Sequence, residues 1–319
     1  MSFGRFLLGR IMLALLTLWL LSVIVFLAAQ VLPGDVGSKI LGPTADKGAI
    51  AALNAELGLN RPPLQRYVEF VTGLVRGDFG MSYSQRRPVA PMLLQSSLKS
   101  LKLAAVAFII VVPLAIGAGV LSAMQQGKPI DRVITTIGLS AMVVPEFVSG
   151  IVVILVFGLW LKVLPISAAA PAGSGFFRQI YHLLLPAIPL VFVIFGYIQR
   201  VTRASTIDVL GSDYVRTATL KGLTRFVVIR DHVLRNALPS SVTVVATQVG
   251  YMFGGLIVIE ILFNYKGIGL LLFMSTRDKD FPLLASCVMV VGAVYLLFTL
   301  LGDVIHSLLD PRFRVAGAA

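Results

Sequence analysis

Five stretches of this chain run for more than twenty residues without one lysine, arginine, aspartate or glutamate: Ile11–Gly34, Leu103–Gly127, Gln179–Gln199, Asn236–Ile259 and Phe281–Gly302. A hydrocarbon core about 30 Å thick is crossed by roughly 20 apolar residues as helix, so each stretch is long enough to span a bilayer. A sixth window, Val133–Leu161, is longer still but carries Pro145 and Glu146 near its middle. In lipid each backbone polar group needs a partner from the protein, and a helix supplies these within one segment. The sequence thus predicts an all-α integral membrane protein with six transmembrane helices.

Composition closes off the alternatives. Only 13% of the 319 residues are charged, against about 25% in an average soluble domain. So few charges cannot cover a water-exposed surface, which excludes a soluble enzyme or soluble binding domain. The net charge of +12 does not point to nucleic acid, because the basic residues lie between apolar runs rather than on one soluble face. The single cysteine, Cys287, rules out an intrachain disulfide or a CxxC metal site. His182, His232 and His306 are scattered and no HExxH occurs, so no metal site and no resident cofactor is expected. Serine–histidine–aspartate or paired-carboxylate arrangements are also missing.

The first window is preceded by Arg5 and Arg10. Its apolar run exceeds the 7–15 residues of a signal-peptide core, so it reads as a retained first helix. Orientation follows from the basic residues of the short loops. With a cytoplasmic N-terminus, Lys128, Arg132, Arg200, Arg203, Arg216, Lys221, Arg225, Arg230, Arg235, Arg312 and Arg314 join Arg5 and Arg10 inside. The short outer loops then hold only Lys162, Arg178, Lys266, Arg277 and Lys279. The expectation is one membrane domain over residues 1–319 with both termini inside. It comprises an N-terminal helix (1–34), an extracytoplasmic segment (35–97) and a five-helix core (98–319).

Two segments outside the spans are too long to be simple connectors. In the first, Pro62 and Pro63 suit a helix start, and Leu64, Tyr67, Val68, Val71, Leu74 and Val75 recur at helical spacing as one apolar stripe. A structural cap and a part in substrate gating are both open for it. The second, about 201–239 between helices four and five, faces the cytoplasm. Ser212 or Asp213 can cap a helix start, and Tyr214, Val215 and Ala218 then form a small apolar face. Leu223, Phe226, Val227, Val233 and Leu234 line a second helical run, with Arg216, Lys221, Arg225, Arg230 and Arg235 on the other sides. Gly222 lets the chain turn sharply between the two. Such an elbow fits either an amphipathic segment on anionic lipid or a knob docking into a partner's groove.

At this elbow the sequence resembles the permease subunits of binding-protein-dependent ABC importers. Their general motif, Glu-Ala-Ala, then Gly, then Ile-x-Leu-Pro, is matched only loosely by Arg216-Thr217-Ala218, Gly222 and His232-Val233-Leu234-Arg235. The dipeptide, oligopeptide and nickel branch is matched well, by Tyr214, Val215, Thr217, Ala218, Lys221, Gly222, Leu223, His232, Leu234, Arg235, Asn236, Ala237 and Pro239. LPGD (32–35), LGLNRPPLQRY (57–67), GDFGMS (77–82), Pro145 with Phe147, IEILF (259–263), GIG (267–269), DFP (280–282) and LDPRFR (309–314) follow in the same order. Lys266 departs from the branch, which more often has proline before Gly267.

The resemblance implies a second permease subunit, commonly a different chain, one or two cytoplasmic ABC ATPases, and a soluble substrate-binding protein. It also implies the bacterial inner membrane. The elbow, including Tyr214, Arg216, Thr217, Ala218, Lys221, Gly222, Leu223, Phe226, His232 and Arg235, would be the coupling segment seated in an ATPase groove. The chain lacks a GxxxxGK[ST] loop, so it is not expected to be an ATPase itself. Dipeptides, longer peptides, glutathione-like compounds and nickel chelates are all open as cargo. A proton-driven secondary transporter, with Glu146 as relay, is the alternative.

Glu146, Gln248 and Tyr251 are the candidates for a translocation path. An acid inside a span defaults to a functional hypothesis; for Glu146 the options are a cavity-facing group meeting a peptide's amino end or a partner for a backbone donor freed near Pro145. Gln248 and Tyr251 can line a pore or bridge helices. Glu260 reads as interfacial.

Overall fold

The computed structural model describes residues 3–31, 36–42, 44–171 and 173–309. The LPGD segment, all of LDPRFR after Leu309, and Arg312 and Arg314 lie outside these residues, as does the side chain of His306. Among the described residues the chain is helical, with one isolated antiparallel bridge between Met81 and Pro88. Twelve helices follow in order: α1 (Phe3–Val31), α2 (Val36–Leu41), α3 (Lys47–Glu56), α4 (Pro63–Arg76), α5 (Val89–Met124), α6 (Pro129–Val143), α7 (Glu146–Trp160), α8 (Phe176–Leu210), α9 (Asp213–Leu220), α10 (Arg225–Leu262), α11 (Ile268–Arg277) and α12 (Phe281–Leu309).

Five of these are long and apolar enough to cross a membrane, falling within α1, α5, α8, α10 and α12. The count becomes six when α6 and α7 are taken as one span. That pair is bent by 109°, and the reason is local. Pro145 disfavours helical geometry in the residue before it; Val144 is extended at φ −71° and ψ 120°, and α7 starts afresh after Pro145. The sequence window therefore contains two helices meeting at a sharp bend rather than one straight helix. Helix α1 leaves Met12, Leu15, Trp19 and Ile24 exposed, an apolar face that water would not tolerate and lipid does.

The chain divides into two compact units. In the unit made of Gly9–Leu101 and Lys266–Val294, the core is Val89, Leu93, Ile268, Leu271, Leu283 and Cys287. The stripe expected on α4 is real but divided. Tyr67 and Phe70 pack inward: Tyr67 meets Phe26 edge-on at 5.3 Å and hydrogen-bonds Ser22 at 3.0 Å, while Phe70 lies 5.6 Å from Phe281. Leu64, Val68 and Val75 face outward. Gly77 ends the helix at φ 76°, the left-handed geometry glycine adopts without strain.

The unit containing Lys102–Tyr265 is built around α8, which packs on α6, α7 and α10. Leu183, Leu185, Leu190, Ile194 and Ile198 form its buried face. Small residues let the helices meet closely: a Cβ on Gly196 would collide with the Gly138 carbonyl and with Met142, the kind of contact that drives packing between helices in lipid. Glu260, read from sequence as interfacial, is fully buried at 0% exposure within this unit. Helical periodicity places it on the inward side of α10 with Leu256 and Ile259.

Candidate functional site

The elbow is more compact than the sequence suggested. Helix α8 continues to Leu210 and α10 already begins at Arg225, so α9 and two short turns are all that lies between them. Ser212 stands at the N-cap position of α9, but its hydroxyl donates back to the Val209 carbonyl (2.6 Å) instead of capping. Asp213 occupies the first turn, where its negative charge complements the helix dipole. At the other end, Gly222 has φ +79° and its N–H donates to the Thr219 carbonyl (3.0 Å). The sharp turn expected of this glycine is present.

A small core holds the elbow together. Val215 and Ala218 of α9 pack with Val228 and Val233 of α10, flanked by Val209 and Leu210. Full burial of a valine side chain is worth about 1.5–3 kcal/mol, enough to hold so short a helix in place. Residues 228–234 adopt widened, π-type turns at this contact.

The structure assigns the apolar residues differently from the sequence. Tyr214 turns outward from Val215 and Ala218, and of the second run Val233 packs inward with Val228, while Leu223 and Phe226 stay exposed. Leu220 and Phe226 are 79% and 70% exposed, and Leu223 is exposed between them. Around this apolar tip stand exposed Arg216, Thr217, Lys221 and Arg225, and Arg230 lies 5.8 Å from the Phe226 ring. His232 is half-buried and Arg235 exposed. Thus Ala218 belongs to the elbow's own core, while Tyr214, Leu223 and Phe226 belong to its outer surface.

Behind the elbow sits a polar layer that the sequence reading missed. Arg203 grips Asp131 with two hydrogen bonds, Nε to Oδ1 at 2.6 Å and Nη2 to Oδ2 at 2.7 Å. Asp131 is 3% exposed and also accepts from the Gly127 N–H (2.9 Å) and the Thr135 hydroxyl (3.3 Å). Next to this pair, Gln199 donates to Ser122 (3.2 Å), Thr202 donates to Ser241 (2.8 Å), and Ser205 donates to the Ala237 carbonyl (3.1 Å). Together these bonds tie α5, α6 and α10 to the end of α8. In the sequence Arg203 counted only as a loop charge. The available signal was Asp131, an acid two residues into a proline-led helix between Lys128 and Arg132.

Two of the three path candidates share one side of α10, and the third lies against a glycine of the same stripe. Gln248, Tyr251 and Gly255 fall at i, i+3 and i+7, one helical stripe. Glu146, at the start of α7, lies directly against Gly255, where an added Cβ would be 2.6 Å from the carboxyl carbon. Its carboxylate receives no hydrogen bond or ion pair from the described residues, so it does not serve a backbone donor at the Pro145 break. Gln248 is buried, Tyr251 is 69% exposed, and Gly254 beside it opens onto empty space. The stripe thus runs from the packed interior to an open face. No group of three or more histidine, cysteine or acidic side chains able to hold a metal occurs among the described residues.

Two family models match the chain. Residues 115–315 match the binding-protein-dependent transport system inner membrane component, and residues 3–104 match the N-terminal part of the membrane component of such systems. The chain is 32% identical, over 98% of its length and 99% of the relative's, to a probable peptide ABC transporter permease protein (y4tP) of Sinorhizobium fredii. It is 34% identical, over 93% of its length and 95% of the relative's, to the glutathione transport system permease protein GsiC of Escherichia coli. Among solved structures, a chain from an amino acid ABC transporter crystallised with histidines shares the fold, with a TM-score of 0.50 and 16% identity over 70% of this chain and 94% of that one.

Proposed function

This chain belongs to the family of binding-protein-dependent transport system inner membrane components, and from that membership we infer the permease subunit of an ATP-driven importer. Its cargo is peptides or similar small solutes handed over by a soluble binding protein. The observation that carries the reading is the near-end-to-end identity with two permeases, one named for peptide and one for glutathione transport. The chain is a multi-pass membrane protein, and ATP hydrolysis belongs to partner subunits.

The exposed tip of the elbow supports its role as the coupling segment. Leu220, Leu223 and Phe226 offer exposed apolar area, and burying it yields about 25 cal/mol per Å². A basic rim of Arg216, Lys221 and Arg225 fits an acidic groove edge. The seat faces the cytoplasm, with both termini on that side, and a second permease completes the pathway. Closure of the ATPase pair on ATP moves the two elbows. The polar layer at Asp131–Arg203 passes that movement to α6, and so to the bend that presents Glu146. A ligand shifts such an equilibrium only by its differential affinity for the two states, so the seat must bind the elbow more tightly in one arrangement. Glu146, Gln248 and Tyr251 line the path, with Glu146 offering a negative charge to a cationic group of the cargo.

The test is purification of the tagged chain from its native membrane in mild detergent, then reconstitution of whatever accompanies it into vesicles. Co-purification of a second permease and ABC ATPases, with uptake of peptide that follows ATP and survives a protonophore, is expected. Recovery of the chain alone, with uptake abolished by the protonophore, would overturn the reading in favour of a proton-driven transporter.

A further inference from the structure

Helix α4, in the unit made of 9–101 and 266–294, carries an apolar face of which the chain itself covers only half. On the 3.6-residue repeat, Phe70, Leu74, Tyr67 and Val71 are followed around the helix by Leu64, Val75 and Val68, giving one continuous apolar arc. The first four are half-buried, with Tyr67 and Phe70 packed on Phe26 and Phe281. Leu64, Val75 and Val68 are 74%, 84% and 51% exposed. The opposite side is polar: it carries Gln65, Glu69, Thr72 and Arg76, and Gln65 donates to Glu69 at 3.1 Å.

What the open half of this arc meets follows from how deep the helix sits. The apolar span within α1 is Gly4–Ala28, 25 residues. As a helix it is about 38 Å long, against roughly 30 Å for a hydrocarbon core, so the excess is about 8 Å. Ser22 lies about 9 Å along the axis from Ala28. It therefore stays within the core of a straight crossing even if the whole excess projects at that end. The Tyr67 hydroxyl hydrogen-bonds Ser22 at 3.0 Å, and the Tyr67 ring meets Phe26 edge-on at 5.3 Å. One tyrosine side chain is thus all that separates α4 from a residue at lipid depth. At the same height α1 leaves Ile24 and Leu27 exposed.

We propose that α4 is an interfacial helix whose open apolar edge, Leu64, Val68 and Val75, inserts into the lipid leaflet at the C-terminal end of α1. Its polar side then faces water. Helices of this kind bury their apolar face about 5–10 Å into the boundary between headgroups and acyl chains, which is the level that the Ser22–Tyr67 bond sets. Arg76, exposed in the last turn, has an apolar stem long enough to keep its guanidinium among the headgroups while Val75 enters the lipid. The segment between α1 and α5 is thereby held against the membrane by lipid as well as by α1 and α12. This needs only α1 as a spanning helix and is independent of what the chain transports or what drives it.

The experiment uses the full chain, purified from its native membrane with whatever accompanies it and placed in nanodiscs. Single variants Leu64→Cys, Val68→Cys and Val75→Cys are spin-labelled, with Gln65→Cys and Thr72→Cys as controls on the polar side. All five positions are exposed, so a label there leaves the packed half of the helix intact. Cys287 is fully buried, and wild type gives the labelling background. Collision of each label with oxygen, which concentrates in lipid, is compared with collision with a water-soluble nickel chelate. The ratio of oxygen to nickel collisions is expected to be severalfold higher at Leu64, Val68 and Val75 than at Gln65 and Thr72. Equal ratios at all five positions overturn the proposal, because the edge then lies in water or the whole helix in lipid. Low collision rates with both reagents at Leu64, Val68 and Val75 overturn it as well, because a protein surface, from a second permease or the binding protein, then covers the edge.

Discussion

Removing either partner of the Asp131–Arg203 pair should destabilise the protein far more than removing both. Asp131 accepts from Arg203 at 2.6 and 2.7 Å, from the Gly127 N–H and from the Thr135 hydroxyl. Breaking a buried ion pair from one side costs about 3–5 kcal/mol, because the remaining charge stays desolvated. In Asp131→Ala the stranded group is Arg203, whose side chain is 27% exposed and can reach water, so the cost falls near the lower end, about 3 kcal/mol. Arg203→Leu strands a carboxylate that is only 5% exposed, near the upper end at about 4–5 kcal/mol. The double variant Asp131→Ala/Arg203→Leu leaves the Gly127 N–H as the main unsatisfied group, costing about 1–3 kcal/mol. The two single costs sum to about 7–8 kcal/mol, so the coupling energy is about 5 kcal/mol, within the range seen for close charge pairs. At roughly 2–4 °C per kcal/mol for a large domain, thermal melts in one detergent should show each single variant roughly 6–20 °C below wild type. The double variant should lie only about 2–12 °C below and melt above either single variant. A double variant that melts lowest of all, or single variants within about 2 °C of wild type, would refute the reasoning.

Gly222 and Gly255 test the elbow and the path separately. At Gly222 a Cβ would meet nothing within 4 Å, so Gly222→Val acts only through its φ of +79°, a left-handed geometry costing an L-residue about 1–2 kcal/mol. It should insert normally yet lose ATP-driven uptake, whereas Gly222→Asn, which tolerates that geometry, should keep most of it; normal uptake by the valine variant would count against the coupling role. At Gly255 an added methyl group displaces the Glu146 carboxylate, the mobile end of a side chain. Gly255→Ala should therefore raise the KM for peptide uptake, and Glu146→Gln should do the same, with an unchanged melting temperature. A wild-type KM in both would remove Glu146 from the path.

Membrane placement, helical class and family were all decided by local features of the chain. Charge-free runs such as Leu103–Gly127 are long enough to span lipid wherever they fold. The turn at Gly222 was legible for the same reason, because glycine acts on its own backbone; Pro145 acts as locally on the residue before it, yet the window around it read as a single span. The elbow could be located because turn chemistry and helical spacing are properties of neighbouring residues.

Which side of each short helix became core could not be read in that way. Leu223 and Phe226 are as apolar as Val228, and only the arrival of α8 and α10 beside α9 left the first two exposed and buried the last. The same holds for Glu146, whose position against Gly255 depends on a 109° bend that proline permits but does not aim. Asp131 and Arg203, 72 residues apart, carry no mutual signal in sequence; Arg203 counts there as one more loop cation. Local propensity and hydropathy act over a few residues and set what each segment is. Pairing of distant side chains depends on how the segments pack, and only the tertiary structure decided that.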